Sequence, residues 1–135
     1  MNEFTAIKNN QDIAEFLDKA NGLHDGYIIS VKYSNNGIKH INGGYTFNPE
    51  FTELAISILV TSINDTAVEL LFENIDQWQI KEGHFEITET AISFTESGSV
   101  IWTDDCSTSP EFLNEGSYVI AKTMKWRINN ESLKD

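Results

Sequence analysis

Leu54-Ala55-Ile56-Ser57-Ile58-Leu59-Val60, followed after Asn64-Asp65 by Val68-Glu69-Leu70-Leu71-Phe72-Glu73, is the stretch that decides the fold. Leu54, Ile56, Ile58 and Val60 alternate with Ala55, Ser57 and Leu59. Val68, Leu70 and Phe72 alternate with Glu69, Leu71 and Glu73. A period of two sends successive side chains to opposite faces, so each run reads as a strand with one face turned to a core. Asn64-Asp65 between them has turn chemistry.

Upstream, the same period covers Tyr27, Ile29, Val31 and Tyr33. Ser34-Asn35-Asn36-Gly37 then predicts a hairpin turn, with a weak return strand over Ile38 to Ile41. Asn42-Gly43-Gly44 marks a bulge or loop before Tyr45 and Phe47, and Asn48-Pro49 breaks the chain again. Downstream, the strand of Val68 is expected to resume through Trp78 and Ile80, with a turn at Lys81-Glu82-Gly83. Short strands are expected over His84–Thr88, Ala91–Thr95 and around Val100–Thr103. A polar loop, Asp104–Pro110, precedes a last long strand from about Ser117 to Asn129. Its predicted apolar face is Tyr118, Ile120, Met124, Trp126 and Ile128, broken by Lys122.

One segment has a different period. Ile13, Phe16, Leu17 and Ala20 fall at i, i+3, i+4 and i+7, which predicts a helix over about residues 11–21. Asn10 or Asp12 can cap it, Asp12-x-x-Glu15 has capping-box spacing, and Asn21-Gly22 stops it. The expected fold is therefore α+β and mainly β: an N-terminal helix plus an antiparallel meander of about seven to nine strands forming a sandwich or open barrel. No βαβ alternation occurs. The 135 residues read as a single domain, 1–135, with a β-rich body over about 26–129 and a polar tail, 130–135.

Charge is the second feature. The formal net charge is −12, and residues 40–121 hold fourteen acids against one basic residue, Lys81. Such a field repels nucleic acid and anionic lipid and speeds encounter with a basic partner. Met1-Asn2-Glu3-Phe4 is not a secretory leader, no apolar run is long enough to span a membrane, and one cysteine, Cys106, excludes an internal disulfide. These point to a cytoplasmic protein.

Candidate residues fall in three groups. His24-Asp25, where the helix gives way to the first strand, could orient an imidazole beside a ligand, with Trp102 lining a barrel mouth. Turn chemistry explains Asp25-Gly26 equally well. Asp104 and Asp105, with Glu111 and Glu115, form an acidic loop suited to contacting a basic partner, and Glu69 and Glu73 share the outward face of one strand. His24, His40 and His84 lack metal-ligand spacing, so no metal is expected. No phosphate loop, Gly-x-Ser-x-Gly or His-Glu-x-x-His occurs, and neither a cofactor nor a catalytic set is implied.

Leu23-His24-Asp25-Gly26 after a short amphipathic helix, and Leu70-Leu71-Phe72-Glu73-Asn74-Ile75 followed by Trp78, resemble segments of small bacterial β-rich immunity proteins of polymorphic toxin systems. The resemblance implies a cytosolic inhibitor that binds and blocks a toxin, often a basic nuclease. It carries over no catalytic residues. The competing reading is a small-molecule-binding β-barrel or an enzyme with a site near His24 and Asp25.

Overall fold

The computed structural model describes residues 3–81 and 86–129. Its nine strands are β1 (Thr5–Ala6), β2 (Gly26–Asn35), β3 (Ile38–Lys39), β4 (Tyr45–Thr46), β5 (Thr52–Val60), β6 (Thr66–Gln79), β7 (Ala91–Phe94), β8 (Val100–Thr103) and β9 (Tyr118–Ile128). The one α-helix among the described residues, α1, spans Asn10–Lys19. Seven strands make one antiparallel sheet in the order β2-β5-β6-β9-β8-β7, with β1 also on β9; β3 and β4 form a separate two-stranded sheet. The mainly β, antiparallel architecture matches the sequence reading.

The alternation in β5 and β6 works as its period requires. Leu54, Ile56, Ile58, Val60, Val68, Leu70 and Phe72 are all fully buried. They sit opposite one another in register, Leu54 on Phe72, Ile56 on Leu70 and Ile58 on Val68, so one face of the hairpin is continuous hydrocarbon. Helix α1 closes that face. Phe16 is fully buried and meets Trp126 edge-on, ring centroids 5.1 Å apart.

Helix entry lies one residue before the nearer expected cap, Asn10, and three before the other, Asp12. Asn9 is the N-cap, accepting from the Asp12 backbone N–H at 2.9 Å, while the Asp12 carboxylate accepts from Lys8 N–H at 2.8 Å. The reciprocal cap thus uses Asn9 and Asp12, not Asp12 and Glu15. Asn at this position is worth about 1 kcal/mol over Ala. Helix exit comes two residues earlier than the expected end at 21: α1 stops at Lys19, and both residues of the expected stop, Asn21 (φ 51°) and Gly22 (φ 62°), are left-handed in the turn that follows.

The Asn36-Gly37 turn does not build the hairpin that its sequence suggests. β2 pairs with β5, and β3 pairs with β4 instead. Asn36 N–H donates to Phe51 O at 3.1 Å, and the Phe47 ring packs where a Gly37 side chain would stand. The turn therefore leads the chain out of the sheet. Residues 38–47 make a side excursion around Gly43-Gly44, and β5 returns to β2.

β9 also differs. Tyr118 is buried at its start as expected, but the alternation then runs through Val119 and Ala121 at one end and Met124 and Trp126 at the other, so it changes parity around the exposed Lys122 and Thr123. The cause lies in its neighbour. Asn74 of β6 has φ 59°, and the β6–β9 register shifts between Ile75 and Gln77. A bulge re-aims every side chain beyond it.

Of the short strand expected at His84–Thr88, His84 and Phe85 lie outside the described residues. Ile87 makes one isolated bridge to Gly26. That bridge matters for the shape. β6 is central and β7 is an edge, so the chain between them must cross. It does so with Ile87 buried in the core, touching the start of the opposite edge strand, β2. The sheet is not a closed barrel, but its two ends are linked through this segment. Thr90 Oγ1 completes the link by donating to Thr103 O of β8 at 2.5 Å.

Candidate functional site

The β8–β9 connection, residues 104–117, carries four of the predicted contact acids and is firmly tied down. Asp104 N–H donates to Ser117 O at 3.1 Å, and Ser117 N–H returns a bond to Asp104 Oδ1 at 2.8 Å. Thr103 Oγ1 donates to Ser117 O, and Asp105 N–H donates to Thr103 Oγ1. From β6, the Gln79 amide donates to both Asn114 O and Gly116 O. A side chain at Gly116 would crowd this bond: a Cβ would stand 2.7 Å from Asp104 Oδ1, the oxygen that accepts from Ser117 N–H. The loop is thus held in one geometry by backbone partners, without relying on a hydrophobic core of its own.

What it frames is a polar cleft of about 230 Å³ lined by Lys81, Glu86, Thr88, Asp104, Asp105, Glu115 and Gly116. Four of those seven residues carry carboxylates, against one lysine. Asp105 and Glu115 also border a neighbouring, more apolar notch of about 230 Å³, with Cys106, Ser107 and the half-exposed Phe112. Asp104, Asp105 and Glu115 are therefore brought together as the sequence suggested, and Glu111 is exposed on the same loop. Glu86 and Lys81 went unrecognised because they arrive from the crossing segment, far away in sequence.

Glu69 and Glu73 lie elsewhere and are already engaged. Arg127 Nε donates to Glu69 Oε2 at 2.8 Å and the Asn129 amide to Glu69 Oε1 at 2.6 Å. Lys125 Nζ is 3.1 Å from Glu73 Oε1. Phe4 lies under the same two cations, its ring centroid 4.2 Å from the Arg127 guanidinium and 5.8 Å from Lys125. This is a partly exposed patch of charge pairs beside β1, in which both carboxylates already face a cation.

His24 and Asp25 border the acidic cleft through Glu86 and Thr88. Thr88 O can only accept, so the His24 Nδ1 bond at 2.7 Å places the ring proton on Nδ1; Nε2 then faces Asp25 Oδ1 at 3.5 Å. These contacts hold the imidazole above its ordinary pKa, the Thr88 carbonyl first and the Asp25 charge second. The Glu86 carboxyl is also pushed up, chiefly because it shares a hydrogen bond with Asp25. Asp25 itself has φ 60°, and its carbonyl accepts from both Thr61 N–H and Thr61 Oγ1. Trp102 does not join them. It is fully buried, packed 6.0 Å from Phe72, and cannot touch a ligand at the surface. Among the described residues, no group of three or more His, Cys, Asp or Glu is placed to hold a metal ion, and no helix is long and apolar enough to cross a membrane.

Comparisons with family models, with curated proteins and with solved structures give no match.

The cleft carries its own pH signature. Burial holds the Asp104 carboxyl above the usual carboxylate value; the Ser117 hydrogen bonds pull it down and Asp105 adds to the rise. A raised folded pKa means that the folded state binds this proton more tightly than the unfolded chain does. Stability from Asp104 is then fullest below the ordinary carboxylate pKa and is lost as pH rises through the folded value. Asp104→Asn, which keeps the acceptor for Ser117, should therefore match or exceed the wild type in stability at pH 7. The advantage should shrink below about pH 4, near the ordinary Asp value. Urea denaturation at the two pH values checks this; a variant less stable at pH 7 than at low pH, relative to wild type, would contradict it.

Proposed function

We propose that this protein binds a basic segment of a protein partner in the acidic cleft of the β8–β9 loop and acts by occluding it. The supporting observation is the convergence of Glu86, Asp104, Asp105 and Glu115 on one cleft whose frame is fixed by hydrogen bonds. Preorganised carboxylates lose little on docking, so their attraction for Lys or Arg appears as affinity and as association rate. The apolar notch beside Phe112 offers a seat for an uncharged side chain next to the partner's basic residue. An aromatic or aliphatic anchor seated there would supply the central contact that charge alone lacks. Glu69 and Glu73 have no part in this reading, because Arg127 and Lys125 already neutralise them.

The resemblance of Leu23–Gly26 and Leu70–Trp78 to immunity proteins fits such a mechanism. On that reading the partner is a basic toxin, and the protein is an inhibitor rather than an enzyme. The experiment is capture from a cell lysate on immobilised protein, with elution by a salt step and then a salt titration of the purified partner. A basic protein whose affinity falls steeply as salt rises is the expected result. Retention of only neutral or acidic proteins, or a partner indifferent to salt, would overturn the proposal.

A further inference from the structure

Residues 26–49 contain no Asp or Glu at all, in a chain that has twenty-one; their charged residues are Lys32 and Lys39. That acid-free stretch forms the edge strand β2 and the β3–β4 excursion that follows it. It also carries most of the exposed large hydrophobic residues of the described chain. Tyr27, Ile29, Val31 and Tyr33 are each 36–45% exposed along β2, and Ile41, at the tip of the excursion, is fully exposed.

We infer that β2 is the docking edge for a second copy of this chain, paired antiparallel across a two-fold axis so that two sheets become one. Three observations carry this. The first is electrostatic. A protein of net charge −12 is repelled by its own copy over most of its surface, and the acid-free edge is where two copies can approach without opposing carboxylates. The nearest acid on the adjoining strand, Glu53, stands opposite Ser34, on the other face of the sheet from Tyr33. The second is the length of the edge. β2 has ten residues and β5 as its lateral partner, and among the described residues only Gly26 is bridged on the outer side; the opposite edge strand, β7, has four. Edges are usually blunted by charge, proline or a bulge. β2 has a bulge at Ile29 and one lysine, which leaves Ser30–Asn35 regular. The third is self-complementarity. A two-fold interface sets a strand against itself, and like charges directly opposite are unfavourable. A pairing centred on Lys32 is thereby disfavoured. One centred on Tyr33 puts Lys32 beside Ser34 and Val31 beside Asn35 of the second copy, and it extends the Tyr33–Trp78 stack, 5.4 Å between rings, across the joint.

The test is sedimentation equilibrium of the intact protein across a concentration series, at low salt and at about 1 M salt, where the Debye length is about 3 Å. The expected result is a species of twice 15.3 kDa that tightens as salt screens the remaining repulsion. Val31→Lys and Tyr33→Lys, made separately and checked for folding by circular dichroism, should each weaken the dimer more than about tenfold, because each sets new positive charge at the joint. Ala14→Lys, on the exposed face of α1, should leave it intact. A protein that stays monomeric at both salts, or a dimer unaffected by both β2 substitutions, overturns the inference. Binding of a basic partner at the acidic cleft weakens with salt whereas this dimer strengthens, so either can fail without the other.

Discussion

Trp102→Ala should lower folding stability by about 3–5 kcal/mol, the range for removing a buried Trp or Phe from a core. Trp102 is fully buried on β8, tilted 52° against Phe72 of β6, and flanked in register by Ile92 and Val119. It therefore joins the two halves of the sheet through side-chain packing as well as through the ladder. Against a typical total stability of about 5–15 kcal/mol, the loss leaves the variant marginal or unfolded. With a urea m-value of roughly 2 kcal/mol/M, the midpoint should fall by about 2 M. Trp102→Phe is the informative companion. The indole N–H meets no protein acceptor, so phenylalanine removes a desolvated donor while keeping much of the ring. Its loss should stay below about 1.5 kcal/mol, the usual limit for swaps that nearly conserve volume. Equal losses for the two variants would show that the ring does not contribute as its burial implies.

The second large effect concerns recognition. Asp104→Asn, Asp105→Asn and Glu115→Gln combined should lower affinity for the basic partner about a hundredfold, about 2.8 kcal/mol, at low salt. Most of that should appear as a slower association rate, because charges at a cleft rim act chiefly by steering. The difference between wild type and variant should close as salt rises. Glu69→Gln is the contrasting control. It removes the charge and leaves one acceptor oxygen for the two donors, Arg127 and Asn129, and should cost about 1.5–3 kcal/mol of stability, the value of hydrogen bonds to a charged group, while leaving partner association unchanged. Surface plasmon resonance at two salt concentrations, with urea melts alongside, separates these outcomes. Binding unaltered by the triple substitution would remove the acidic cleft as the docking site.

Much of the fold was legible because burial follows local periodicity in β5, β6 and α1. Those segments each pack one face, and a 2.0 or 3.6 period records which. Legibility ended where the backbone departs from regular geometry. Asn74 adopts a left-handed conformation that no apolar pattern announces, and with it the buried face of β9 changes parity. Asn36-Gly37 has hairpin chemistry, but the partner of β2 is chosen by the Ile28–Ile58, Val31–Ile56 and Tyr33–Leu54 pairs, and a local turn does not encode those. The candidate site divides the same way. Asp104, Asp105, Glu111 and Glu115 were visible as one acidic loop. Glu86 and Lys81 join it only through the crossing between β6 and β7. The engagement of Glu69 and Glu73 depends on the β6–β9 register, which sets Glu69 opposite Arg127 and Glu73 opposite Thr123, and that register is not written in either strand alone.

The position of β9 sets an order of events during synthesis. It lies between β6 and β8 and also holds β1, yet all three precede it in the chain. While a ribosome is still adding residues up to Ile128, β6 and β8 each wait with one side unfilled, and α1 lacks the Trp126 ring that Phe16 meets. The emerging polypeptide must keep these apolar segments apart from one another and from other nascent chains until β9 arrives. Its surplus of carboxylates, spread along Glu50 to Glu115, supplies mutual repulsion throughout that interval.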